Sequence, residues 1–560
     1  MIKARTPMAQ AFRDVVSQHS DREALVCGNF RATYGQLGEK AMALAYGLHE
    51  LGIGKGDKVA AVLPPSPDFV ILFFAVAELG AVIVPLNPQL RPRQLRHILQ
   101  DAEPVAVVIS TQAADDVQAV EEVLKELAGL RHVILVNGEK MGRVVDSYNR
   151  KFVDQFPNLR VYEFTNLRDL AVSQSTSPDD LLAILYTSGT TGLPKGTMHS
   201  QWGLVAPVVA SIKLRQAWLE RPSLKTMGRM AKALVRYRQR LLRAAGRPQV
   251  MLSTVGCHTI TGLEAMLQAL LMGDTLVLMP RFDPVEALQL VERERVTILI
   301  GVPMAYSMML AVQDFDRYDL SSLLICGTGG APCSPELARE IQERFGCAVH
   351  IGFGTTELAG GIAATSLDDS GALQAETVGQ AMPGMEIKIV DEQRRELPPG
   401  QVGELACRGE NVMLGYYRAP ERTAEVVDEE GWYYTGDLAV VDERGYLRIL
   451  GRKDDVIIRA GVNIHPAEIE RYLEAHEKIK EAAVVGVPAP IGGERTWAFI
   501  ILKEGVEMTA KEVLHYCRAE IEAHKVPDQV RFVADFPRAA SGKPQKFILR
   551  DMALQEVSRT

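Results

Sequence analysis

The densest chemistry in the chain is YTSGTTGLPKG, Tyr186–Gly196, which directly follows the apolar run LLAILYT. It combines three glycines (Gly189, Gly192, Gly196), four hydroxyls (Thr187, Ser188, Thr190, Thr191) and the ammonium of Lys195. Glycines let backbone N–H groups come close to an anion, hydroxyls add donors, and a lysine adds a point charge. A polyphosphate is the natural occupant. The spacing is not G-x-x-x-x-G-K-[ST], so a P-loop nucleotidase is excluded. Cys257 and His258 are sequence neighbours whose side chains point apart, with no activating context for a thiol nucleophile. There is no G-x-S-x-G for a serine hydrolase.

These residues need a scaffold, and the apolar pattern supplies one. KVAAVLP (58–64), AVIVPL (81–86), VAVVIS (105–110), LLAILYT (181–187), TLVLMP (275–280), TILIGVP (297–303) and SLLICGTGG (322–330) are short and β-branched, with helical stretches between them. This alternation predicts βαβ units and a mostly parallel sheet covered on both faces. FVILFFAVAELGAVIVPL reads as a buried helix followed by a buried strand, because Glu78 and Gly80 interrupt a run otherwise near membrane-span length. From about Gly384 short alternating strands joined by Pro and Gly turns predict a β-rich subdomain. After GRKDDVIIRAGVNIHPAEIE the pattern becomes α+β: a helix around Ile469 to Glu477, strands EAAVVGVP and AFIILKE, then the helix AKEVLHYCRAEIEAH. The expected fold class is therefore α/β. Residues 1–451 form a large body of mostly parallel α/β sheets, its β-rich subdomain covering about 384–451. Residues 452–455 connect it to a small α+β domain over 456–560.

The composition agrees. With 47% hydrophobic and 24% charged residues in 560, the chain can bury a core without staples. Its 62 basic and 70 acidic residues sum to −8, which argues against nucleic acid as a partner. Seven scattered cysteines, none in a C-x-x-C pair, fit a reducing compartment, and MIKARTPMAQAFRDVV lacks the apolar centre of a secretory signal. The expected location is cytoplasmic. One segment departs from the acidic average: Lys225, Arg229, Lys232, Arg236, Arg240 and Arg243 share one face of a helix, opposite Leu224, Met227, Met230, Leu234, Tyr237 and Leu241. Such a basic amphipathic helix near 224–243 packs on the core with a solvated basic face, rests on an anionic membrane surface, or meets another protein.

Further blocks follow the glycine-rich loop in a fixed order. They are GGAP (329–332), GFGTTE (352–357), GWYYTGD (431–437), GYLRILGRKDDVI (445–457) and PRAASGKPQK (537–546), with TYGQL (33–37) and GDKVAAVLPPSPDFV (56–70) upstream. Together they resemble the acyl-adenylate-forming superfamily of acyl-CoA synthetases, luciferases and peptide-synthetase adenylation domains, over nearly the whole chain. The resemblance implies a two-step reaction. A carboxylate attacks the α-phosphorus of ATP and expels pyrophosphate; a thiol, here that of coenzyme A, then takes the acyl group and releases AMP.

It also implies roles. Thr187, Ser188, Gly189, Thr190, Thr191, Gly192 and Lys195 would cradle the phosphates. Gly330, Ala331 and Pro332 would wall adenine from the acyl site, and Phe353, with Gly354 and Thr355, would hold adenine. The family more often has tyrosine at Phe353. Thr356 would bond the α-phosphate and Glu357 would hold Mg2+. Asp437 would accept from the ribose hydroxyls, supported by Arg452. Asp454 would be the hinge about which the small domain, mobile between half-reactions, swings. Lys543 would be the catalytic lysine, bridging the attacking carboxylate and the α-phosphate. His258 would lie near the substrate carboxylate, although the local pattern around Ser253 and Gly256 departs from the family's. RAGVNIHP would line the pantetheine tunnel through Ala460 and Gly461, with Ala460 replacing a frequent glycine.

The activity implied is that of an AMP-forming acyl-CoA synthetase. A medium- or long-chain fatty acid is favoured because Leu358, Ala359, Gly360 and Gly361 are small or aliphatic and would leave room. An aryl or alicyclic acid is the alternative. Amino-acid adenylation is disfavoured because His258, not an acid, is expected in the acyl site. Intact Lys195, Glu357, Asp437 and Lys543 weigh against a non-catalytic adenylate-binding scaffold. The acid substrate is the expected partner; a membrane contact through the basic helix and a homodimer are left open.

Overall fold

The apolar runs become strands at the expected places, and their near-continuous hydrophobicity has a simple cause: each is buried on both faces. In the computed structural model Lys58–Val62, Val82–Leu86, Ala106–Ser110, His132–Val136 and Leu181–Thr187 lie side by side and parallel. Lys195–Ser200 and Gly415–Tyr416 extend this seven-stranded sheet in antiparallel fashion. A second sheet, of nine strands, has a parallel centre in the order Ala348–Thr355, Ile325–Thr328, Ile298–Gly301, Val250–Ser253, Thr275–Leu278 and Glu23–Cys27. The structure describes the whole chain except Met1, Ala4, 111–121, Ala128, 137–174, 188–193, 220–246, Pro332, 367–368, 460–461, 489–493, Ala523, 539–541 and 558–560.

Helices fill the space between the two sheets. Tyr34–Glu50, Pro67–Glu78 and Ile260–Leu271 contribute to one core that also takes in Leu25 and Leu276 from one sheet and Val59, Ile83 and Leu182 from the other. Pro67–Glu78 is buried along its whole length, which is why its sequence is apolar all round rather than on one stripe. Its start is set by Ser66, whose hydroxyl accepts from the Phe69 N–H, followed by Pro67 in the first turn. In TYGQL the Thr33 hydroxyl and the Gln36 side chain form a reciprocal capping box that opens Tyr34–Glu50.

The β-rich segment is a four-stranded antiparallel sheet ordered Glu386–Val390, Gly403–Arg408, Tyr433–Val441, Leu447–Arg452. After it, Lys453–Asp455 make one 3-10 turn. Beyond the turn lies a three-stranded sheet of Ile479–Pro488, Glu494–Leu502 and Gln529–Phe532 with its own core, including Ile464, Ile469, Leu473, Val484, Ile500 and Val513. The first helix of this region runs Pro466–Glu474, three residues earlier than expected from the apolar pattern, because Pro466 starts it. The next, Ala510–Glu520, is shorter than expected: Ile521 turns to extended backbone at φ −97°. Among the described residues no helix is long and apolar enough to cross a membrane. The basic segment near 224–243 lies outside the described residues.

Candidate active site

Both glycine-rich functional segments sit where the parallel sheets change to antiparallel pairing. Leu181–Thr187 and Lys195–Ser200 form a hairpin with Thr187 opposite Lys195 at its mouth. Ser188, Gly189, Thr190, Thr191 and Gly192 lie outside the described residues. Gly196 serves packing rather than anion approach: a Cβ there would lie 2.7 Å from Ile184 Cγ2 and 3.1 Å from Tyr186 Cζ.

The second hairpin pairs Ala348–Thr355 with Gly360–Ala364 and carries Thr356–Leu358 as a 3-10 turn at its tip. Gly354 must be glycine, because a Cβ would fall 1.9 Å from the Gly360 carbonyl oxygen. Phe353 is half-buried against the core beneath the four-stranded sheet. Two buried hydroxyls at the adjoining strand ends, Thr328 Oγ1 and Thr355 Oγ1, have no hydrogen-bond partner among the described residues. Buried donors are seldom left so, and both are suited to bonding a polar ligand such as a nucleotide.

Glu357 is held by a residue the sequence reading passes over. Tyr416 donates its hydroxyl to Glu357 Oε1 at 2.9 Å, and its ring lies 5.6 Å from Lys195 Nζ. The Glu357 carbonyl accepts from Met413 N at 2.7 Å. Lys195 and Glu357, 162 positions apart in the numbering (357 − 195), thus share one aromatic neighbour. Its only sequence signal is the GYY after Leu414, which has no distinctive chemistry alone.

Asp437 and Arg452 face each other across the antiparallel pair Tyr433–Val441 and Leu447–Arg452. Arg452 Nη1 donates to Asp437 Oδ1 at 3.1 Å and to the Thr435 carbonyl at 2.9 Å. Burial raises the Asp437 pKa, while the charges of Arg452 and then Lys543 pull it back. Lys543, from the far end of the chain, is thus near enough for its charge to act on Asp437. Its side chain keeps solvent contact, yet the surrounding protein desolvates the ammonium and lowers its pKa, with Asp437 acting in the opposite direction. The loop that presents it is tied by Arg538, which donates to the Gly542 carbonyl at 3.0 Å and to Glu481 Oε2 at 2.6 Å. Gly542 has φ +80°, a conformation that favours glycine. Asp454 is exposed in the 3-10 turn, where its charge acts on Arg452.

The acyl end departs most from expectation. His258 is placed by Thr259, whose hydroxyl accepts from Gly262 N at 3.2 Å and starts the helix Ile260–Leu271. Burial pushes the His258 pKa down to about 4, and its Nδ1 has no partner among the described residues. The imidazole is neutral at physiological pH. A Cβ on Gly256 would meet the ring at 2.4 Å, which explains the small residue at that unusual position. Burial pushes the neighbouring Cys257 thiol up to about 12, which removes any thiolate nucleophile.

Leu358 belongs to the core, not to a substrate space. The room expected beside Gly360 and Gly361 is taken by the carboxyl of Glu264, since a Cβ on Gly360 would lie 2.2 Å from Glu264 Oε2. Glu264, which the sequence reading does not name, thus lies beside both glycines. Gly330, at φ +75°, faces the same helix, where its Cβ would lie 3.7 Å from Thr261 Oγ1. Ala331 is half-buried beside it; Pro332, Ala460 and Gly461 lie outside the described residues.

With this geometry in place, the chain can be compared with known proteins. The model of the AMP-binding enzyme family matches residues 12–417, and that of the AMP-binding enzyme C-terminal domain matches 468–543. The chain belongs to the AMP-binding enzymes. The human mitochondrial medium-chain acyl-CoA ligase ACSF2 is 32% identical over 561 residues, covering 97% of this chain and 87% of that protein. ATP-bound MatB from Rhodopseudomonas palustris superposes with a TM-score of 0.80 at 28% identity, covering 98% and 99% of the two chains. A benzoate CoA ligase from Burkholderia xenovorans LB400 gives 0.79 at 25% identity, covering 97% and 100%. This AMP-binding enzyme is accordingly an ATP-dependent acid–thiol ligase of the acyl-CoA synthetase kind.

Proposed function

We propose that the enzyme activates a medium- or long-chain fatty acid and transfers it to coenzyme A. The adenylation part of this reading is carried by Lys543, whose charge acts on Asp437 beside Arg452. In the first step a carboxylate oxygen attacks the α-phosphorus of ATP, the bond to the bridging oxygen breaks, and pyrophosphate leaves with that electron pair. Negative charge grows on the α-phosphate oxygens, and a preplaced ammonium stabilises it without reorganisation. Lys543 supplies that ammonium from the small domain. Asp437, one oxygen already accepting from Arg452, binds the ribose hydroxyls.

Thr187, Lys195 and the intervening loop hold the departing phosphates, and Phe353 offers its open face to adenine between Gly330–Ala331 and Gly354–Thr355. Thr356 bonds the α-phosphate. Glu357, oriented by Tyr416, is the carboxylate that would hold Mg2+, whose charge offsets that of the phosphates. His258, being neutral, orients the substrate carboxylate through a hydrogen bond rather than through charge. In the second step the sulfur of coenzyme A, its proton lost, attacks the acyl carbon and AMP leaves. The turn at Asp454 lets the small domain, with the Ala460–Gly461 loop, exchange Lys543 for a thiol channel.

The similarity to a medium-chain acyl-CoA ligase supports an aliphatic substrate. A ring acid is the second reading, favoured by the likeness to a benzoate CoA ligase. Pyrophosphate release and acyl-CoA formation across a panel of acids test both. Dodecanoate or octanoate should outrun benzoate and cyclohexanecarboxylate; a ring acid ahead by about tenfold in kcat/KM, about 1.4 kcal/mol, would replace the first reading with the second.

A further inference from the structure

The helix Ile260–Leu271 is buried on nearly every side, with only Thr261, Glu264 and Gln268 partly open to solvent. Their spacing places them on one face of the helix. This partly exposed face meets the glycines of the site described above. Thr261 faces Gly330, Glu264 lies against Gly360 and Gly361, and Glu357 is three residues before Gly360.

This face is polar where a purely aliphatic substrate would want hydrocarbon. Gln268 Nε2 donates to Glu264 Oε1 at 3.0 Å, and Gly361 lies beside the same carboxyl oxygen. Glu264 Oε2 points at Gly360, whose missing side chain makes space for it. Among the described residues no cation acts on Glu264, whose pKa burial raises to about 7. A saturated chain laid against this carboxyl would give it no partner, whereas a chain with a donor would satisfy it.

We propose that the acyl site accepts an aliphatic acid bearing a hydrogen-bond donor on its chain, a hydroxyl or an amine, and that Glu264, steadied by Gln268, selects it. This rests on the fatty acyl-CoA ligase reading and narrows it. Discrimination of this kind is asymmetric, because a site built to bond a donor rejects the analogue lacking it more strongly than an apolar site rejects an added hydroxyl.

The test measures pyrophosphate release by the full-length enzyme with octanoate, its hydroxy derivatives substituted along the chain, and its terminal amino derivative. At least one donor-bearing acid should exceed octanoate about tenfold in kcat/KM, and Glu264→Leu should abolish that advantage. Glu264→Gln separates the two donors: it should keep a preference for hydroxyl and lose one for ammonium. Thermal unfolding checks each variant, and Glu264→Ala, which adds no bulk beside Gly360, serves if the leucine variant does not fold. Octanoate outrunning every donor-bearing acid, or a donor preference that survives loss of the carboxyl, would overturn the proposal. Either result leaves the ligase reading standing, whereas an absence of pyrophosphate with every acid, octanoate included, would sink both.

Discussion

The hydroxyl of Tyr416 donates to Oε1 of Glu357 at 2.9 Å, joining the hairpin tip that carries Glu357 to the edge strand beside Lys195. One acidic oxygen is thereby oriented, and the other is left for a ligand. Tyr416→Phe keeps the ring under Lys195 but removes this bond. We expect kcat/KM for pyrophosphate release to fall by about tenfold, as for loss of a hydrogen bond to a charged group, with a raised magnesium requirement. Titration of activity against Mg2+ checks it; an unchanged Mg2+ midpoint would separate Glu357 from the metal.

The charge of Lys543 acts on Asp437 from the C-terminal domain, and the proposed function assigns it to the adenylation step. Lys543→Ala should slow adenylation by roughly 10²–10³-fold, typical of removing one preorganised donor from developing charge. Thioester formation from a supplied acyl-adenylate should be largely spared. Equal loss of both steps would contradict the assignment.

Asp454 lies exposed in the 3-10 turn that joins the two cores, and the proposed function makes it the hinge. Asp454→Pro fixes its φ and also restricts Lys453. The expected outcome is the mirror image of the lysine variant: adenylation near wild type and thioester formation reduced by tenfold or more. Single-turnover measurement of each step decides the matter.

Glu264 also predicts a pH effect on stability. Burial raises its carboxyl to about 7 in the folded protein, from an ordinary value of 4.5. A raised acid pKa means that the folded state holds the proton more tightly than the unfolded state. Stability is therefore unaffected below the unfolded value and is lost as pH rises from about 4.5 to 7. The full loss is at most about 3.4 kcal/mol by the conversion of 1.36 kcal/mol per tenfold change. Glu264→Gln should raise the melting temperature relative to wild type more at pH about 8 than at pH about 5. A difference that does not change with pH would show that the carboxyl is not desolvated.

Much of the molecule was readable from local pattern. Strands such as Val82–Leu86 and Ala106–Ser110 announce themselves because both faces are buried, so apolar residues run on without alternation. The caps at Thr33 and Ser66 likewise act within three residues. Boundaries read less well: the helix after Ile464 starts at Pro466, and the one from Ala510 ends at Glu520, positions set by backbone geometry rather than by apolar period. Among the named site residues, those in ordered blocks were legible as candidates. Tyr416 and Arg538 were not, because their roles consist of contacts with residues far along the chain.

By itself, then, the amino-acid order determined the class of fold, since periodicity and turn residues operate over a few positions, and its motif blocks carried the resemblance that implied the chemistry and its charged groups. Only tertiary structure decided which of those groups meet. The charge of Lys543 acts on Asp437, Tyr416 spans Lys195 and Glu357, and Glu264 enters the space that the sequence of Gly360 and Gly361 suggested was empty. The physical reason is that pairing, desolvation and the filling of a glycine's vacant volume depend on distance in space, which a linear order of residues does not carry.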